Sequence, residues 1–300
     1  MNLSVVPDVI QGRTFVMINF MQTVQKGAQF MKRHNKSAIL VTRSDDSVKG
    51  IVTERDITRR LVAVGKNAEQ TYLEDIMTTT PQMLFPNSRV RDVLKFMREK
   101  NYRHMPVADD SMVYGIVSIR DIYSCLSRLL QTQKKTPSFV QAWKKPFLSL
   151  ATMNSNLIFL PPGATVLEAA RLMLDKKVGA ILIMKSSKLR GIITERDVAF
   201  KVIAEGLCPE TTILSQVRTK HLHTVGMEAS SEGILQLMEA NNCRHIPIMD
   251  GDKVNRVVSM KDVDEFLQDY MEAGFSGSRI LRVLNKTMKH LWFKPKLKTH

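Results

Sequence analysis

A chain of 300 residues, 44% apolar and 24% charged, is long enough for two domains with buried cores and too apolar for wholesale disorder. No apolar run approaches the roughly 18 residues of a membrane span, and the first ten residues carry Asp8 and no basic segment to open a secretory signal. The net charge of +15 is concentrated: residues 276–300 hold seven Lys and Arg and no acid, and Lys134, Lys135, Lys144 and Lys145 bring those two segments to 11 of the 15, leaving a nearly balanced body.

In chain order, a short strand is expected around Phe15 to Ile18. Val24, Ala28 and Met31 then fall at i, i+4 and i+7, one face of a helix, ahead of the apolar run Ala38-Ile39-Leu40-Val41. Ser44 to Ser47 is turn chemistry, Val48 to Thr53 returns as the second strand of a hairpin, and Ile57, Leu61 and Val64 space a second helix that stops at Gly65. The scheme repeats with Met83 to Phe85 as a leading strand, a helix bearing Val90, Leu94 and Met97, and a hairpin of Met105 to Val107 with Val113 to Ser118. Pro106 cannot donate to a ladder, so its position belongs at an edge or an irregularity. Between about Gln131 and Ser149 lies a basic connector in which Thr136-Pro137 is a plausible helix start. Two further rounds follow. Val166, Ala170 and Met173 precede a strand over Ala180 to Met184, and Ile234 and Met238 precede one over Ile246 to Met249. Met31, Met97, Met173 and Met238 are expected in the core. Gly274 and Gly277 break the last helix, and a new one is expected from Arg279 to Trp292.

Each round ends in the same motif. Gly50-Ile51-Val52-Thr53-Glu54-Arg55-Asp56 returns as Gly115 to Asp121, Gly191 to Asp197 and, weakened, Arg256 to Asp262. The aspartates recur after 65, 76 and 65 residues, so a pair of repeats is duplicated at an offset of 141, becoming 142 ahead of the first hairpin loop. The chain divides into a first pair at 1–130, a connector at 131–149, a second pair at 150–272 and a basic tail at 273–300, with repeats at about 14–70, 78–130, 150–210 and 213–272. A repeat of about 50 residues cannot bury both faces of its sheet alone, and pairing two repeats would.

These motifs, with Arg103-His104 and Arg244-His245 ahead of a proline two residues on, and Asp75-Ile76-Met77-Thr78 before the second round, resemble the CBS domains, named for cystathionine β-synthase. The resemblance covers roughly Thr14 to Tyr270. Val202 to Val217 looks most like four-repeat CBS proteins that elsewhere carry a Phox-and-Bem-type domain, and the γ subunit of AMP-activated protein kinase is a more distant likeness. The resemblance implies an α/β fold of four βαββα repeats in two paired modules, each holding an adenosyl compound (AMP, ADP, ATP or S-adenosylmethionine) in a cleft. It assigns Thr53, Ser118, Thr194 and Ser259 to ribose or phosphate, Asp56, Asp121, Asp197 and Asp262 to the two ribose hydroxyls, and Arg103, His104, Arg244 and His245 to phosphate. The odd repeats have Ser37-Ala38 and Gly179-Ala180 where the even ones have Arg-His, and Arg256 replaces the motif glycine in the fourth.

Other readings stand beside these. Thr/Ser-x-x-Asp is also a capping box, although capping favours the longer Glu or Gln. His104 and His245 read equally as hydrogen-bonded groups at the surface, and Glu54-Arg55 and Glu195-Arg196 as solvated first-turn charges. Cys125, Cys208 and Cys243 lack any metal spacing, which implies a reducing compartment, with Cys125 and Cys208 as packing residues. A cytoplasmic setting is expected, with mitochondrion or nucleus as alternatives. No Ser-His-Asp set, Walker loop, GxGxxG or HExxH is present, so the reading is a non-catalytic regulator of a protein partner, with a homodimer through the modules as one arrangement. A ligand-independent scaffold is the alternative, and a nucleic-acid-binding protein is disfavoured. The basic tail reads as a solvated end, a docking helix or a surface for anions.

Overall fold

The computed structural model describes residues 4–10, 12–44, 47–131 and 157–264. The connector helix and the tail helix expected from the sequence lie outside the described residues.

The first repeat runs strand Met17–Asn19, helix Val24–Arg33, hairpin Ala38–Thr42 and Val48–Thr53, then a helix entered at Glu54–Asp56 and continued with π-type hydrogen bonds over Ile57–Val62. The leading strand lies parallel to the first hairpin strand, and the hairpin is antiparallel. The third repeat repeats this order with strand Phe159–Leu160, helix Val166–Asp175 and hairpin Ala180–Lys185 with Lys188–Thr194. In the second, the expected strand at Met83 to Phe85 shrinks to a bridge between Leu84 and Val107. Its hairpin joins His104–Ala108 to Val113–Ser118. Pro106 sits on this reduced edge, its carbonyl accepting from the Leu84 N–H at 2.9 Å. The fourth pairs Val225–Gly226, His245–Asp250 and Lys253–Ser259. All four hairpins shift register at the same place, between Val41/Thr42, Val107/Ala108, Ile183/Met184 and Ile248/Met249.

Every residue of Ala38–Thr42 is buried, and because side chains alternate between two covered faces the run is apolar from Ala38 to Val41. Ile39 and Val41 point to the helices, into a core shared with the third repeat. Ala38 and Leu40 point the other way and meet Val113 and Ile116 of the second repeat. Leu182 and Ile192 likewise meet Val254 of the fourth. Sheets therefore pair one with two and three with four, whereas helices pair one with three and two with four. Helix Val24–Arg33 packs on Val198–Ile203 and helix Val166–Asp175 on Ile57–Val62. The even-repeat core also takes in Val5, Val9 and Ile10, a leading segment the periodicities gave no reason to place there. Met31, Met97, Met173 and Met238 are all core, as expected, and Cys125 is buried; Cys208, expected to pack, is instead exposed beside Glu210.

The motif glycine has a packing reason. A Cβ on Gly191 would stand 2.6 Å from the Thr219 carbonyl, and one on Gly50 would stand 2.9 Å from that of Thr78, because in the odd repeats the following chain crosses there.

Candidate functional site

Each motif ends its strand at a hydroxyl that opens the next helix, with the aspartate at the third helical position. The expected preference of capping for longer acids does not hold here, since the short carboxylates cap fully. Asp56 accepts from the N–H and hydroxyl of Thr53 at 2.9 and 2.7 Å, Asp121 from Ser118 at 2.8 and 2.6 Å, and Asp197 from Thr194 at 2.9 and 2.7 Å. Asp262 accepts the Ser259 N–H at 2.6 Å. In all four these bonds go to Oδ2, which leaves the Oδ1 of each carboxylate to distinguish the repeats.

In the odd repeats a cation four residues on takes that oxygen. Arg60 lies 3.4 Å from Asp56 Oδ1, and Lys201 lies 2.6 Å from Asp197 Oδ1, which also accepts from Thr219 at 3.0 Å. The even repeats have Cys125 and Phe266 at that position in the sequence, neither of them a cation. This was legible in the sequence as a difference at aspartate plus four.

The even motifs face each other across one cavity of about 650 Å3. At one rim stand Ser118 and Asp121, with Phe15, Ala38 and Ile116 as an apolar slot; at the other stand Ser259 and Asp262, with Leu157, Ala180 and Val257 at equivalent positions. Thr194 and Asp197 line a smaller cavity of about 220 Å3 with His221 and His223, whereas Thr53 and Asp56 line neither. Ten Lys and Arg side chains line the large cavity against two carboxylates, Asp121 and Asp262.

Behind its wall lies a network that reverses the expectation for Glu54 and Glu195. Both are 1% exposed, not solvated. Glu195 receives Arg103 of the second repeat, with Arg59 and Arg55 Nε at 3.4 and 3.7 Å; Glu54 receives Arg244 of the fourth repeat and Arg196 Nε at 2.9 Å. Arg55 also donates to the Asn101 carbonyl at 3.1 Å and Arg196 to that of Asn242 at 3.0 Å. Each half thus inserts its Glu-Arg pair into the other. Arg103 and Arg244, expected to await phosphate, line the cavity while already holding a buried carboxylate.

Crowding sets the charge states. Burial, with Arg103 next to it, lowers the Arg55 guanidinium to about 10, and burial lowers Arg244 to about 10. Burial alone would raise the Glu195 carboxyl, but Arg103 and Arg55 outweigh it and hold the group below its ordinary value. His104 and His245 are pushed down to about 3 by burial and by Arg103 and Arg244 respectively. They are therefore neutral rather than cationic, half-buried in the wall of the large cavity, and His104 Nε2 lies 3.0 Å from Ser37 Oγ. Gly179 gives His245 the corresponding room: a Cβ there would come within 3.2 Å of the ring. Arg120 reaches Asn242 with one nitrogen, while its Nε and Nη2 are buried with no hydrogen-bond partner among the described residues. Among the same residues no His, Cys, Asp and Glu cluster suits a metal ion, and no helix is long and apolar enough to cross a membrane.

The profile of the CBS domain matches residues 10–63, 73–128, 149–204 and 214–269. The CBS domain-containing protein CBSCBSPB3 of Arabidopsis thaliana is 27% identical over 257 residues, 77% of this chain and 46% of its own. The Meiotically up-regulated gene 70 protein of Schizosaccharomyces pombe is 26% identical over 285 residues, 78% of this chain and 39% of its own. The chain spans about half the length, or less, of these curated relatives. Protein MJ1225 of Methanocaldococcus jannaschii, described as a candidate archaeal homologue of γ-AMPK, superposes with a TM-score of 0.68 at 16% identity, over 87% of this chain and 99% of its own. That likeness carries the fold alone.

Proposed function

This chain belongs to the CBS-domain family, and from that premise we propose that it is a non-catalytic sensor that binds adenine nucleotides between its paired repeats and regulates a partner protein. The large cavity carries the reading, through its combination of two hydroxyl-carboxylate rims with an excess of guanidinium and ammonium groups. A ribose hydroxyl donates to a carboxylate oxygen, a planar base fits an apolar slot such as Phe15, Ala38 and Ile116, and phosphates meet Arg120, whose buried nitrogens lack partners among the described residues. An arriving phosphate competes with Glu195 and Glu54 for Arg103 and Arg244. Occupancy would thereby alter the contacts between the halves, which is how a partner would read it.

The even-repeat rims are the favoured sites, because both face the large cavity, whereas Thr194 and Asp197 line only the smaller one and Thr53 and Asp56 line neither. S-adenosylmethionine, which is cationic at sulfur, suits so basic a chamber less than AMP, ADP or ATP. Calorimetry of the full chain with each of the four is the test. Asp121→Ala and Asp262→Ala are each expected to lower nucleotide affinity at least tenfold, roughly the 1.5–3 kcal/mol of hydrogen bonds to a charged acceptor. Absence of heat and of any thermal shift at millimolar ligand would sink the proposal. It would leave a ligand-independent scaffold, which the carboxylates already engaging Arg103 and Arg244 would favour.

A further inference from the structure

Asp121 differs from the odd-repeat aspartates in how its Oδ1 is occupied. The partner is Arg13, 108 residues away in the segment leading into the first repeat, and the pair lies in the wall of the large cavity. Oδ2 is committed to Ser118, so Oδ1 is the oxygen a sugar hydroxyl would have to reach. The Arg13 side chain is 41% exposed and Asp121 14%, so the guanidinium covers the carboxylate from the solvent side and can swing away without unpacking a core. By the 142-residue offset, the third repeat has Ser155 in the sequence where the first has Arg13.

We propose that Arg13 is a specificity-determining residue of the cleft at Ser118 and Asp121, an internal competitor that admits phosphorylated nucleosides and resists neutral ones. The inference rests on the sensor reading above. A neutral nucleoside that displaces Arg13 exchanges an ion pair for hydrogen bonds and leaves the guanidinium without an anion. A nucleotide displaces it too, but its phosphate offers the released guanidinium a new partner through a bidentate pair.

The test uses the full chain in an Asp262→Asn background, which silences the opposite rim, with calorimetric titrations of AMP and of adenosine. Arg13→Gln is expected to raise adenosine affinity about 1.5- to fivefold, the range for removing a partly exposed ion pair, while AMP gains less or loses. The ratio of AMP to adenosine affinity falls accordingly. Arg13→Lys, which keeps the charge but not the fork, falls between. Unchanged adenosine affinity and an unchanged ratio in Arg13→Gln, with AMP still bound, would overturn the role of Arg13 and leave the sensor reading standing. AMP binding abolished by Asp262→Asn alone would put the ligand on the other rim and overturn it as well. Silence of AMP on the unmodified chain would remove both readings together.

Discussion

Replacing Glu195 by Gln removes one charge and almost no volume from the contact between the halves. The carboxylate is 1% exposed and faces Arg103, Arg59 and Arg55, drawn from two other repeats. In the variant one carbonyl oxygen still accepts, but the amide nitrogen confronts guanidinium groups that can only donate, and three cations lose their shared counter-ion. Breaking a buried ion pair by removing one partner costs about 3–5 kcal/mol, a large part of the roughly 5–15 kcal/mol that holds a folded protein together. With a urea slope near the upper end of the usual range, the unfolding midpoint should fall by roughly 1–2 M. The pH dependence follows from the direction of the shift. Glu195 ionises below the ordinary glutamate value in the folded chain, so its contribution is fully present above that ordinary value. It is lost as pH falls through the folded one, and the difference between the unmodified chain and the variant should shrink there. Inorganic phosphate should stabilise the variant more than the unmodified chain, because it can replace the missing anion. A loss below about 1 kcal/mol at neutral pH would refute the assignment of Glu195 as the counter-ion of this cluster.

Two further outcomes follow from buried groups. His104 and His245 remain neutral in the folded chain down to about pH 3, whereas the unfolded chain protonates both near their ordinary value of 6.5. Stability should therefore rise with pH across that window, each imidazole contributing about 1.4 kcal/mol per pH unit. Denaturant titrations at pH 6.5 and 5.0 should show the unmodified chain losing more than the variant carrying His104→Gln and His245→Gln, and parallel losses would contradict the burial. Gly191→Ala forces its new methyl against the Thr219 carbonyl and should cost about 1–3 kcal/mol in thermal unfolding, whereas Gly163→Ala, with nothing within 4 Å of the new atom, should be near neutral. Equal effects at the two glycines would show that the crossing chain is not held where Gly191 meets it.

The sequence by itself determined the elements and their repetition. Strand and helix periodicities are local, so the hairpins ending at Thr53, Ser118, Thr194 and Ser259 were readable, as was the core role of Met31, Met97, Met173 and Met238. The offset of 141 identifies equivalent positions, which located both the motifs and the Arg-His pairs. Equivalence does not say what touches what. Glu54 and Glu195 look like solvated charges because Glu-Arg at a helix start usually is, and only the packing of helices one with three and two with four buries them against arginines up to 190 residues away. The same packing brings the even rims into one cavity and sets His104 and His245, half-buried and neutral, in its wall. Arg13 reaches Asp121 only because Val5, Val9 and Ile10 anchor the leading segment in the even-repeat core. Local pattern fixes which side chains an element presents, but desolvation and charge pairing depend on what is laid against it, and that is settled by the assembly of all four repeats.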